Sequence, residues 1–185
     1  MNNIDQIIND LTLEEKVSLL SGFNSWYTNK IERISIPSIK MSDGPNGVRG
    51  DSNSGKSSAC FPCAISIGSS WDLDQVKKIG VALGEEAQAK NVDVLLGPTI
   101  NIHRHPLGGR HFESFSEDPF LTGKIASNYV QGVQSQNVAA CLKHFVGNDT
   151  EFERHSISSN IDERTLREIY LLPFEMGVKE GNAKV

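Results

Sequence analysis

The chain has 185 residues, a formal net charge of -5 and a sequence pI near 5.5, with 38% hydrophobic and 22% charged residues. A chain of ~150 residues already buries about 68–70% of its unfolded surface, so a true core is within reach. A mildly acidic chain without basic runs lacks the footprint of a nucleic-acid binder, and no stretch approaches the ~18 apolar residues of a membrane helix.

The N-terminus, Met1-Asn-Asn-Ile-Asp-Gln6, has neither the basic start nor the apolar run of a signal peptide, so a cytoplasmic location is expected. Ile4, Ile7, Ile8 and Leu11 follow helical spacing. Thr12-Leu-Glu-Glu15 is a capping-box pattern that starts a second helix. Leu13, Val17 and Leu20 share one of its faces, and Gly22 is its stop signal. From Phe23 to Pro62 the chain reads as loop-rich. It holds a short apolar piece at Ile34–Ile39 and a sharply turned Met41-Ser-Asp-Gly-Pro-Asn-Gly47. Ser52 to Ser58 is polar and expected to be mobile.

After this the rhythm alternates. Ala64–Ile67 is expected to be a strand. Asp72 caps a helix that buries Leu73, Val76, Ile79 and Leu83. Val92–Leu96 is a strand stopped by Gly97-Pro98. Asp118-Pro119 starts a helix with proline at its first position, continued by Ile125, Tyr129, Val130 and Val133. Val138–Leu142 is a strand. Asp162 caps a helix through Leu166, Ile169, Tyr170 and Phe174 that ends at Gly181-Asn182, and Ala183–Val185 begins another strand. Alternating β and α elements predict a parallel sheet flanked by helices, open or closed into a barrel. A closed eight-fold barrel takes ~250 residues, so three or four repeats and a strand just begun at Val185 lead to the expectation of a truncated chain.

Three cysteines, Cys60, Cys63 and Cys141, are an odd, small count that fits a reducing compartment. Cys60-Phe-Pro-Cys63 has C-x-x-C spacing without a second pair to complete a zinc site, and packed free thiols are expected there.

Four polar clusters lie at expected strand ends, where parallel α/β folds place their sites. In Ser42-Asp-Gly-Pro45 with Arg49, Asp43 is either an acceptor for vicinal hydroxyls or an Asx-turn bonding its own backbone. In the run from Gly97 to Arg110, Gly108-Gly109 lets the backbone approach a ligand and Arg110 presents a planar set of donors. His103 and His105 share a face on an extended chain but lack a third metal ligand, while His111 and Glu113 read as supporting or plain loop residues. Lys143-His144-Phe145 follows a buried strand, where charged groups need polar company. Adjacent strand residues point to opposite faces, so both reach one ligand only if the strand kinks or ends. Asn148–Glu151 with Glu153, Arg154 and His155 reads as a solvated loop with local ion pairs. Phosphate-loop, dinucleotide, nucleophile-elbow and H-E-x-x-H motifs are absent, and the polar groups lean towards hydroxyl chemistry.

In order and spacing, Leu11–Val17, Ser42–Arg49, Phe61-Pro62, Gly97–Ile102, Gly109-Arg110, Ser116–Pro119, Lys143–Phe145 and Glu163–Tyr170 together resemble glycoside hydrolase family 3, in its β-glucosidase branch. The resemblance implies the α/β fold class, here the N-terminal portion of a truncated (β/α)8 TIM-like barrel. Residues 1–62 would form a helical and loop-rich region and 63–185 the β/α repeats, with the family's C-terminal α/β sandwich domain absent. It implies a retaining β-glucosidase acting on β-glucosides or β-linked oligosaccharides. Cofactor, metal, nucleic-acid partner and membrane are not expected, and a homo-oligomer of the full-length form is compatible with it. Asp43 would accept from glycone hydroxyls, and Arg110, Lys143 and His144 would donate to the same ring. The family's nucleophilic aspartate lies in a Ser-Asp-Trp-type motif. Neither Trp26 nor Trp71 follows a Ser-Asp, so both catalytic carboxylates are expected beyond residue 185 and the isolated chain is expected to be inactive. An inactive remnant or weak sugar binder is the alternative. A sister branch, the β-N-acetylglucosaminidases, is the enzyme alternative, though it carries Lys-His-Phe-Pro-Gly where this sequence has Lys143-His-Phe-Val-Gly147.

Overall fold

Helix placement follows capping chemistry closely. In a computed structural model, which describes residues 3–50 and 56–185, α1 spans Asn3–Asp10 and α2 spans Leu13–Leu19. Thr12 and Glu15 close a reciprocal capping box, each side chain satisfying the other's backbone N–H at 3.2 and 2.9 Å. Asp72 accepts from Gln75 N–H at 2.9 Å and starts α4, Leu73–Ala89. Its spacing buries Val76, Ile79, Leu83 and Ala87, and Asn91 then takes a left-handed conformation (φ 53°). Asp118 accepts from Leu121 N–H at 2.6 Å and starts α5, Pro119–Gln134.

The sheet has three parallel strands in the order β1 (Met41–Asp43), β2 (Val94–Leu96), β3 (Ala139–Ala140). Its register pairs Asp43 with Leu96, and Leu95 with Ala140. The connections pass through α4 and α5, which gives the expected α/β class with a parallel, unclosed sheet flanked by helices. The expected start of a strand at Ala183–Val185 makes backbone bonds to β3: Val185 N–H to the Ala140 carbonyl at 3.3 Å, and Leu142 N–H to the Val185 carbonyl at 3.1 Å.

The core lies between the sheet and the α4–α5 pair. Leu83, Leu95, Ile100, Ile125, Val130 and Val133 are wholly buried there, and each large aliphatic side chain removed from water contributes about 1.5–3 kcal/mol. The two helices meet at Gly80 and Gly132. A Cβ on Gly80 would stand 2.5 Å from the Tyr129 carbonyl oxygen and 3.0 Å from Gly132 Cα.

Three expectations are corrected. Ala64–Ser69 is a helix (α3), not a strand. Ala64, Ile67 and Gly68 are buried while Ile65 is exposed, the helical pattern, and a four-residue apolar run cannot distinguish the two periods. Met41–Asp43, read as part of a turn, is a strand. The helix after Asp162 is three pieces: α6 (Glu163–Thr165), a π-helical turn at Leu166–Tyr170, and α7 (Leu172–Lys179) with Pro173 in its first turn. Separately, the face shared by Leu13, Val17 and Leu20, for which no burial was expected, is exposed, Leu20 at 89%. Most of the segment expected to be mobile lies outside the described residues. Its described end is tied down, Lys56 Nζ donating to the Ala89 carbonyl and Ser58 Oγ to the Val48 carbonyl.

Candidate functional site

The end of β1, the loop that follows β2 and the segment after β3 meet at one cleft of about 420 Å³, lined among others by Asp43, Arg49, Arg110, Glu113, Lys143 and His144. Asp43 ends β1. Gly44 follows at φ 125°, where a Cβ would strike the Gly47 carbonyl, so the tight turn requires glycine there. The turn is closed by Arg49 N–H to the Asp43 carbonyl at 3.0 Å. Tyr129 of α5 donates its buried hydroxyl to the Pro45 carbonyl. Beyond β3, Lys143 N–H donates to the Pro98 carbonyl at 3.1 Å and Ile100 N–H to the Lys143 carbonyl at 2.7 Å. Ladder bonds thus persist up to Lys143. The Lys143–His144 and Phe145–Val146 peptides are cis, as is Gly97–Pro98, and both Lys143 and His144 line the cleft.

The charges are paired. Lys143 Nζ lies 2.6 Å from Asp43 Oδ1, and Arg49 Nη1 lies 3.7 Å from Asp43 Oδ2. Burial works to raise the Asp43 carboxyl, but the Lys143 hydrogen bond and charge, the Gly44 N–H and the Arg49 charge outweigh it and hold it below its ordinary value. Arg110 Nε is gripped by Glu113 and lies 3.1 Å from Glu151 Oε1, while its Nη2 stands 3.2 Å from His144 Nε2. Burial first, then the positive charges of Arg110 and Lys143, push His144 down to about 4. At neutral pH it is therefore an uncharged ring.

Asp43, Arg110, Lys143 and His144, separated by up to 101 positions in sequence, thus share one cleft. Other candidates are placed elsewhere. His103 Nε2 bonds the Ser114 carbonyl at 3.0 Å and its ring stacks on His111, while His105 Nδ1 accepts from Leu107 N–H. Among the described residues no cluster of three or more His, Cys, Asp and Glu could hold a metal, and no helix is long and apolar enough to cross a membrane. The three cysteines are free. Cys60 is exposed on the cleft rim, so the expected packed thiol does not apply to it.

The loop at Asn148–His155 is more than a solvated surface. Glu151 pairs locally with Arg154 at 3.2 Å, as expected, but it also flanks Arg110. Asp149 is buried at 5% exposure, and burial raises its carboxyl pKa. Two supporting groups have roles that motif reading did not assign, although Asn101 lies within the quoted Gly97–Ile102 segment. Asn101 is buried and makes three hydrogen bonds to His144. Glu86 on α4 accepts from Val48 N–H at 2.8 Å and Ala59 N–H at 2.7 Å, and it pairs with the buried Lys90 at 3.0 Å. Lys90 in turn donates to the Val48 carbonyl and to Ser58. This pair clamps the loop carrying Arg49 and the cleft wall at Ala59 and Cys60. The signal available was a Glu-x-x-x-Lys spacing on a helix face, which ordinarily marks a solvated pair.

Residues 1–185 match the family model described as the glycosyl hydrolase family 3 N terminal domain. The chain is 56% identical over 183 residues to a "Beta-glucosidase" of Rhizobium radiobacter, covering 98% of this chain and 22% of the relative. It is 50% identical to "Thermostable beta-glucosidase B" of Acetivibrio thermocellus, covering 97% and 25%. Among solved structures it resembles the β-glucosidase from Kluyveromyces marxianus in complex with glucose (48% identity, TM-score 0.93, covering 98% and 22%). It also resembles β-glucosidase 3B from Thermotoga neapolitana in complex with glucose (40%, 0.89, covering 98% and 28%). The chain therefore spans about a fifth to a quarter of the length of the curated relatives it matches.

Proposed function

The chain belongs to the family of the glycosyl hydrolase family 3 N-terminal domain, and from that premise we propose that it supplies the glycone-holding side of a retaining β-glucosidase. The observation that carries this reading is the pairing of the Asp43–Lys143 ion pair, at 2.6 Å, with the Arg110–His144 contact, at 3.2 Å, in one open cleft. Its volume of about 420 Å³ is in the range of small-molecule sites. An ionised carboxylate, an ammonium, a guanidinium and a neutral imidazole in a ring suit the vicinal hydroxyls of a neutral sugar, and the glucose complexes of two relatives support that ligand class. The substrate class is a β-glucoside or β-linked oligosaccharide.

None of the cleft's carboxylates is assigned as nucleophile. Asp43 is held by Lys143 and Arg49, and Glu113 and Glu151 by Arg110. A retaining enzyme needs two carboxyl groups about 5–5.5 Å apart across the glycosidic bond. The reading leaves that reacting pair to another part of the protein. Accordingly the 185-residue chain binds glucose without turning over an aryl β-glucoside.

The test is an NMR titration of the isotope-labelled chain with glucose beside an aryl-glucoside assay. Glucose should shift the side-chain resonances of Asp43, Arg110, Lys143 and His144 and leave the assay at the uncatalysed rate. Unmoved site resonances at saturating millimolar glucose would remove the glycone assignment, and turnover by this chain would place the reacting pair inside it.

A further inference from the structure

We propose that Asn101 is a positioning residue that locks the His144 ring as its Nδ1–H tautomer, so that Nε2 faces the cleft as a hydrogen-bond acceptor. His144 N–H must donate and does so to Asn101 Oδ1 at 2.9 Å. The His144 carbonyl must accept and does so from Asn101 Nδ2 at 3.0 Å. One main-chain donor and one main-chain acceptor, both belonging to His144, fix which end of the Asn101 amide is oxygen and which is nitrogen. That orientation is usually a matter of inference, but here each end has a partner of only one kind.

The same Oδ1 lies 3.0 Å from His144 Nδ1. An amide oxygen has no proton to give, so Nδ1 must carry one. On the far side of the ring, Arg110 Nη2 stands 3.2 Å from Nε2. A guanidinium only donates, so Nε2 must present a lone pair. Two independent neighbours, one that can only accept and one that can only donate, impose the same tautomer. Asn101 is buried, which keeps water from competing for these bonds.

The consequence concerns what the cleft demands of a ligand. Arg110 Nη2 now spends a donor on His144 Nε2. A hydroxyl inserted between them would accept from Arg110 and give its own proton to Nε2, satisfying both at once. An ether or carbonyl oxygen could take the first bond but not the second, leaving a part-buried acceptor desolvated and unpaired. His144 thus takes a proton from the ligand, in contrast to the donation that the family resemblance implies for it. This part of the inference rests on the sugar-holding reading; the tautomer itself does not.

The experiment is long-range ¹H–¹⁵N correlation of the imidazole nitrogens in the ¹⁵N-labelled 185-residue chain at neutral pH, without and with saturating glucose. His144 Nε2 should show the shift of an unprotonated nitrogen and Nδ1 that of a protonated one, in both states. An Nε2–H tautomer or an imidazolium in the free chain would overturn the assignment. Conversion to Nε2–H on adding glucose would overturn the acceptor role. Because Arg110 favours the same tautomer from the other side of the ring, Asn101→Leu, which removes both the amide oxygen and the amide nitrogen, is read in an Arg110→Met background, where it should move the ring from the Nδ1–H form to a mixture of tautomers. An unchanged wild-type signature in that variant, if folded, would show that Asn101 does not set it, and if the variant fails to fold, Asn101→Ala, which also lacks an acceptor, serves the same comparison. Should glucose move no cleft resonance while the free ring has the stated tautomer, the sugar reading fails and the role of Asn101 in fixing the ring stands.

Discussion

The Tyr129 hydroxyl donates to the Pro45 carbonyl at 2.8 Å, joining the middle of α5 to the turn that follows Asp43. Tyr129 is 1% exposed, and burial pushes its ionisation upward, so the bond persists across the working pH range. Tyr129→Phe keeps the ring packing and removes only this bond. It should lower unfolding stability by about 0.5–1.5 kcal/mol, read from the urea midpoint. An unchanged midpoint would mean that the Pro45 turn is held without it.

The α4–α5 crossing reverses an ordinary rule. Replacing an interior helical glycine by alanine usually stabilises by about 1 kcal/mol. At Gly132 the new Cβ would fall on the Lys77 carbonyl oxygen and lie 2.9 Å from Gly80 Cα, backbone atoms that cannot rotate away. Gly132→Ala should therefore destabilise, by about 1–3 kcal/mol as overpacking typically does. Thermal unfolding measures it, and a rise in Tm would contradict the close approach.

The Glu86–Lys90 pair should be costly to break on one side only. Lys90 is 6% exposed, and Glu86 serves two loop N–H groups besides. Glu86→Ala leaves the ammonium without its counter-charge and those donors without an acceptor. A loss of about 3–5 kcal/mol is expected, as for one-sided removal of a buried ion pair. Denaturant titration that finds less than ~1 kcal/mol would place the clamp in contact with water.

The pH dependence has two parts of defined sign. His144 is pushed down to about 4 from an ordinary 6.5. Between those values the unfolded chain binds a proton that the folded chain refuses, so stability falls as pH drops from 6.5 towards 4. At ~1.4 kcal/mol per unit the upper bound is about 3 kcal/mol, reduced by the ring's partial contact with solvent. His144→Gln should flatten that slope. Asp43 contributes in the opposite charge state. Its folded pKa lies below its unfolded one, so its stabilisation is present above the unfolded value and disappears as pH falls through the folded value. Asp43→Asn should remove only this more acidic component. Stability curves that are parallel for wild type and both variants would refute the two assignments.

The helices were legible because their caps are local. Asp72, Asp118 and Asp162 each bind an N–H three residues on, a relation visible in any four-residue window. The strands were legible only where they are apolar. Val92–Leu96 announced β2, but β1 is Met-Ser-Asp, held by its neighbours and by Lys40 reaching the Lys90 carbonyl fifty residues away. The four cleft residues could be listed from strand-end logic and family likeness, since they lie where parallel strands stop. Their partners could not. Asn101 matters through bonds to both backbone groups of His144, and Glu151 through Arg110, contacts made over 43 and 41 positions. No short motif encodes distances of that kind.

The balance of charge around the cleft has a consequence for the encounter with ligand. Among the described residues, the cleft is lined by Asp43 and Glu113 against Arg49, Arg110 and Lys143, an excess of one positive charge, while His144 is neutral and Glu151 behind Arg110 is answered by Arg154. One excess charge casts only a weak field beyond the Debye length of about 8 Å at physiological ionic strength. Capture is then a matter of unguided diffusion followed by fit. Added salt should leave the rate of entry of an uncharged sugar nearly constant, and a sugar bearing a carboxylate or phosphate should gain only a weak attraction that salt removes.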